Sequence, residues 1–173
     1  NVIIAAKLAC VVIWMGAATS KLNKHFPFVI STMMSNSPVI RSRALKRKFF
    51  ENFPDDLRPG GLSRIVAHIS TAIEMGVPLV LLFSGGGPVT YAAAFVMICF
   101  HLGILSAIPM GVPLEWNVFM IFAVLALFVG HAEVGLADMT TPLPLILFAV
   151  MVAVVITGNL MPRKISFLPG MRY

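Results

Sequence analysis

Apolar residues dominate the chain in long runs rather than at helical or alternating intervals. Five runs approach the roughly 20 apolar residues that a bilayer core of about 30 Å requires of a helix. They lie near residues 2–19, 65–83, 89–108, 114–130 and 143–160. Prolines punctuate their ends: Pro88, Pro109, Pro113, Pro142, Pro144 and Pro162. Proline suits helix boundaries because it fixes φ and lacks an N–H. Pro78 instead falls inside the second run, where a kink is expected. The pattern predicts an all-α polytopic transmembrane helix bundle, one domain over residues 1–173. The start at Asn1-Val2-Ile3-Ile4 has no basic n-region and reads as the interior of a longer protein.

Composition agrees. Of 173 residues, 58% are hydrophobic and 12% charged, and the mean hydropathy is +0.92. Soluble domains carry about 25% charged residues, so a soluble domain is excluded, as is disorder. The net charge of +6 is not the basic face of a nucleic-acid-binding module. Its distribution describes topology instead. Nine of the 13 Lys and Arg lie between Lys21 and Arg64, three more are Arg163, Lys164 and Arg172, and none falls between 65 and 162. The positive-inside rule places the 20–64 loop and the C-terminal tail on the cytoplasmic face of the cell membrane. Four spans separate them, so the two assignments agree. Ser84-Gly85-Gly86-Gly87 and the 131–141 loop then face outside.

Within the 20–64 loop, Phe26-Pro27-Phe28-Val29-Ile30 with Met33-Met34 is apolar but too short to span, which suits an interfacial or re-entrant piece. The run Arg41 to Phe50 is basic and ends in aromatics. It reads as a topology anchor drawn to anionic headgroups, at about 1 kcal/mol per basic side chain.

Ionisable groups inside apolar spans are costly and therefore candidates for function. Lys7, Lys21, His68, Glu74, His101 and Glu115 qualify. Glu74 is expected to point into the bundle with His101, one helix away, as a partner; the pair could be catalytic or simply hold helices together. Lys21 sits where the first span ends. It either snorkels to the interface or, held in the bundle, becomes a usable general base. Gly85-Gly86-Gly87 lacks the Lys-Ser/Thr of a phosphate loop and reads as a hairpin between spans. His131, Glu133 and Asp138 are metal-ligand types without zinc-site spacing, so no metal is expected. Cys10 and Cys99 lie in apolar runs and suggest neither a disulfide nor a metal site.

Three short stretches, Ala18-Thr19-Ser20-Lys21-Leu22-Asn23, Glu74-Met75-Gly76-Val77-Pro78 and Phe100-His101-Leu102, follow one another over roughly residues 12–128. In order and approximate spacing they resemble motifs of the membrane domain of vitamin K-dependent γ-carboxylases and the horizontally transferred transmembrane (HTTM) family. Ala18 stands where that family has Gly, and His25-Phe26 where it has Asp-Trp. Ser35-Asn36-Ser37-Pro38 and Met110 to Asn117 look more like an uncharacterised actinobacterial transmembrane family distantly related to those carboxylases. The resemblance implies a quinol-dependent lipid-phase enzyme with an isoprenoid quinone as cofactor. Lys21 would be the base, with Glu74 and His101 as supporting groups. The alternative is a non-enzymatic lipid-handling or accessory subunit with membrane lipids, other membrane subunits or the rest of its own chain as partners. A transporter would favour broken helices and midplane charges, with which Pro78 and Glu74 are compatible, but no internal repeat is present.

Overall fold

The computed structural model describes residues 1–108, 111–161 and 164. The proline boundaries expected at Pro109 and Pro162, and the tail residues Arg163 and Arg172, lie outside them. Helix α1 covers Val2–Ser20, α4 Gly61–Phe83, α5 Gly87–Ala107 and α7 Leu143–Leu160. These four are long and apolar enough to cross a membrane. A fifth apolar helix, α6 (Gly111–Ala123), runs on without a break into a π-helical stretch, Val124–Val129. The Gly130 N–H closes that stretch on the Leu125 carbonyl at 2.8 Å. Pro78 lies inside α4, which continues through it to Phe83. It withdraws the N–H that would otherwise close on the Glu74 carbonyl four residues back.

Helix α1 packs against α4, α7 and the π-helical stretch, while α5 packs against α4 and α6. The central core joins Val11 and Trp14 of α1 to Leu81, Ala93, Ala94, Met97, Met120, Val124 and Phe128. Alanines 93 and 94 let backbones approach closely, which is how helices associate where lipid removes the hydrophobic drive. Outward-facing positions remain apolar. Ile65, Ile69 and Phe83 on α4, Val89 and Phe95 on α5, Phe119 and Phe122 on α6, and Ile146, Val150 and Val154 on α7 are exposed. Bilayer contact is the environment those side chains match.

Of the 20–64 stretch expected as a loop with one apolar piece, residues 61–64 belong to the first turn of α4, and 20–60 fold into a small cap. It comprises α2 (Phe26–Asn36), α3 (Arg43–Arg47) and an antiparallel hairpin of β1 (Phe50–Asn52) and β2 (Asp56–Pro59). Ile30 and Phe49 pack on Ala67 of α4. Beneath them the Ser31 hydroxyl donates to the Ser63 hydroxyl at 2.8 Å, and Ser63 donates to the Phe49 carbonyl at 2.7 Å. The apolar 26–34 stretch is thus a helix laid on the first turns of α4. Gly60 sits where the hairpin meets α4. A β-carbon there would come within 2.6 Å of the Phe50 carbonyl oxygen.

Hydrogen bonds identify which connections share an end of the bundle. At one end Ser37 donates to the Ser106 carbonyl, joining the cap to the end of α5. At the other, the Asn1 side chain meets Thr140 and Thr141, and Lys7 reaches the 131–134 segment. The 84–87 turn lies at that second end. Gly85, Gly86 and Gly87 all have positive φ there (61°, 102° and 77°), which glycine adopts without strain. The Gly86 N–H is taken by the Thr90 hydroxyl at 2.9 Å, so the run makes a hairpin between α4 and α5.

Candidate functional site

Three buried polar groups interrupt the apolar interior. The first joins Lys21, just past the end of α1, to Glu74, in the middle of α4. The Lys21 ammonium donates to Glu74 Oε2 in an ion pair. The Glu74 side chain keeps 5% of its surface exposed and Lys21 21%. Two aromatic rings attend the ammonium, Phe26 at 5.5 Å and Phe100 at 5.7 Å from their centroids. Such faces attract a cation electrostatically. Glu74 was expected to meet His101; it meets Lys21 because its face of α4 is the one packed on α1.

The second group is built around His101 of α5. Trp14 of α1 donates its indole N–H to His101 Nε2 at 3.0 Å. An indole is a donor only, so Nε2 is the accepting nitrogen and Nδ1 carries the proton. Nδ1 therefore donates to Asn117 Oδ1 of α6, 2.7 Å away. The Asn117 amide in turn donates to the Pro113 carbonyl at 2.6 Å. Trp14, His101 and Asn117 are all buried. Both imidazole nitrogens are occupied by protein, and the neutral ring links three helices. Phe128 of the π-helical stretch packs against Trp14 with centroids 5.9 Å apart.

The third group is Lys7, buried five residues into α1. Its ammonium donates to the carbonyls of His131 and Val134 at 2.7 and 2.6 Å. The remaining candidates stay apart. Glu115 is exposed, His131 and Glu133 approach to 3.8 Å on the surface, and Cys10 and Cys99 are free thiols on different helices; His68 is exposed too, but it lines the same cleft as Lys21. Among the described residues no three His, Cys, Asp or Glu side chains converge as a metal site would require.

Lys21 is also the link between the bundle and an open cleft of about 610 Å³ at the capped end. Phe26, Pro27 and Phe28 of α2 and Ala67 of α4 give the cleft an apolar wall, and Lys24, Arg58, Arg64 and His68 supply its polar rim. The cleft exists because α2 and the hairpin are held on the start of α4 by the Ser31–Ser63–Phe49 hydrogen bonds. Trp14 and Asn117, not among the candidates read from the sequence, complete the His101 group. A donor-only indole and an amide, each inside an apolar run, were the available signals.

No curated protein and no solved structure matches the chain. One family model does, across residues 1–173, and it describes a transmembrane protein of unknown function (DUF3556). The apolar helices and that full-length match lead to one conclusion: the chain is a membrane protein and belongs to this transmembrane family.

Proposed function

We propose that the protein is a lipid-handling membrane protein that binds the polar head of an amphiphile in the cleft at Lys21. The observation that carries this reading is that Lys21 belongs to both the buried ion pair and the wall of the open cleft. A molecule entering there from the membrane interface would set an apolar portion against Phe26, Pro27 and Phe28 and a polar head against the ammonium. The volume lies within the range of small-molecule sites, about 300–1,000 Å³. The positive-inside bias supports an orientation with the cleft on the cytoplasmic side of the cell membrane.

A second reading, the quinol-dependent enzyme implied by the carboxylase-like motifs, draws on the Lys21–Glu74 pair itself. A hydroxyl at Lys21 would find a carboxylate behind the ammonium to share its proton, and Phe26 and Phe100 offer flat faces to a ring. The residues fit an isoprenoid quinone in these respects, and that group would supply the redox-active ring. His101 enters this reading as a positioning residue, since neither of its nitrogens is open to a substrate.

Mass spectrometry of co-purifying lipids, wild type against Lys21→Ala, tests both. A species retained near one per protein by the wild type and lost from the variant is expected. If that species is an isoprenoid quinone, the enzyme reading gains and oxygen-dependent turnover becomes the next assay. Lipids in bulk membrane proportion in both samples would refute a specific site.

A further inference from the structure

The cleft has a polar rim of one sign. Lys21, Lys24, Arg58 and Arg64 line it beside the imidazole of His68, and no Asp or Glu does. Three of these cations have carboxylate partners, none of which lines the cleft: Glu74 for Lys21, Asp56 for Arg58 and Glu51 for Arg64. Those contacts leave donors to spare. Arg58 commits Nε and one N–H of Nη2 to Asp56, and Arg64 commits an N–H of Nη2 to Glu51, out of five N–H groups in each guanidinium. Lys24 has no ion-pair partner among the described residues.

A rim of guanidinium and ammonium groups beside an apolar wall suits one kind of ligand. Arg presents a planar fork that matches tetrahedral oxyanions, and Lys adds a point charge. The aromatic and proline wall on α2 excludes a purely hydrophilic anion as the best occupant, because its burial is rewarded only by an apolar ligand portion. The cap around the cleft strengthens the case, with nine Lys and Arg but three Asp and Glu between residues 20 and 64. Such an excess concentrates anionic lipid at the adjoining membrane surface.

We infer that the cleft is a binding site for the phosphate-bearing head of an anionic membrane lipid, held by Lys24, Arg58, Arg64 and His68, with its upper acyl region against Phe26 and Phe28. This rests on the amphiphile reading above and names its ligand class.

The test is native mass spectrometry of the full chain from detergent containing equal phosphatidylglycerol and phosphatidylcholine, which share acyl chains and differ in net charge. The wild type should retain phosphatidylglycerol with a preference of about tenfold or more, the scale of two or three charge-assisted contacts. Lys24→Gln with His68→Gln, both exposed positions that leave the fold intact, should cut that preference about fivefold, the scale of one basic side chain at the head. Arg41→Gln with Arg43→Gln removes more charge from the same cap, but neither residue lines the cleft; with no direct contact to a bound head lost, the preference should stay within about twofold. Equal losses from the two pairs would mean a diffuse charge field and overturn the site. Full displacement of the lipid by millimolar inorganic phosphate would show that the site takes free phosphate, overturning the lipid assignment. Retention of both lipids without preference would overturn the anionic head while leaving the amphiphile reading standing. Retention of neither would overturn the phospholipid site, and the co-purifying-lipid comparison would then decide the amphiphile reading.

Discussion

Removing one partner of the Lys21–Glu74 pair should have consequences that depend strongly on which partner goes. Glu74 keeps 5% of its side-chain surface and Lys21 keeps 21%, on the side of the cleft. In Lys21→Met the carboxylate is stranded among α1, α4 and α5 with no cation to replace the ammonium. Breaking a buried pair this way costs about 3–5 kcal/mol, and access of water through the cleft argues for the lower end. In Glu74→Gln the ammonium can swing its four-carbon stem through the cleft to water or headgroups. The loss should then be about 1 kcal/mol, the scale of an exposed pair. The double variant leaves no charge to strand and should recover most of the stability lost in Lys21→Met. Thermal unfolding in a mild detergent, followed by fluorescence in a Trp116→Phe background that leaves core residue Trp14 as the reporter, reads all three. Equal destabilisation by the two single variants, or a double variant worse than Lys21→Met, would refute the asymmetry and with it the role of the cleft in hydrating Lys21.

Trp14→Phe keeps the aromatic packing on Phe128 but leaves His101 Nε2 without its donor, and should destabilise the bundle by about 1–3 kcal/mol; hydrogen exchange in α5 and α6 should rise with it. Gly60→Ala drives a β-carbon into the Phe50 carbonyl, a backbone group that cannot turn aside. Limited proteolysis should then cut between residues 48 and 60, at a cost to the cap of about 1–3 kcal/mol. At the hairpin, the Arg58 guanidinium holds the Asp56 carboxyl down at about 2. Because the folded value lies below the ordinary one, this contact supports the hairpin above about pH 4 and is lost as pH falls through about 2. NMR titration of the Asp56 carboxyl should show that low midpoint, and Arg58→Ala should return it toward the ordinary range. Lys7→Met removes both donors to the His131 and Val134 carbonyls, so protease sensitivity of the 130–141 segment should increase while the capped end is unchanged.

The membrane-crossing helices were legible because each is a nearly unbroken apolar run, and burial in lipid makes hydropathy almost the whole determinant of where such a helix lies. The hairpin was not legible. Phe50-Glu51-Asn52 and Asp56-Leu57-Arg58-Pro59 are too short and too polar to alternate, and their pairing depends on Ser63 and Gly60 beneath them. Lys21, Glu74 and His101 could be marked individually, since each interrupts an apolar run. Their pairing could not be read, because the contact between Lys21 and Glu74 spans 53 residues and that between Trp14 and His101 spans 87. Which face of each helix meets its neighbour decided both, and helices that are apolar all round carry no stripe to announce it.

The two anchored lysines, one inside α1 and one at its end, have an electrical consequence. Fourteen residue steps separate Lys7 from Lys21, about 21 Å along a helix, whereas the hydrocarbon layer is about 30 Å thick. Two basic side chains are thus fixed on one path through the bundle, closer together than the two faces of the hydrocarbon layer. A membrane potential does work on a fixed charge in proportion to its depth, so it pulls on the helix through both anchors rather than through one end alone.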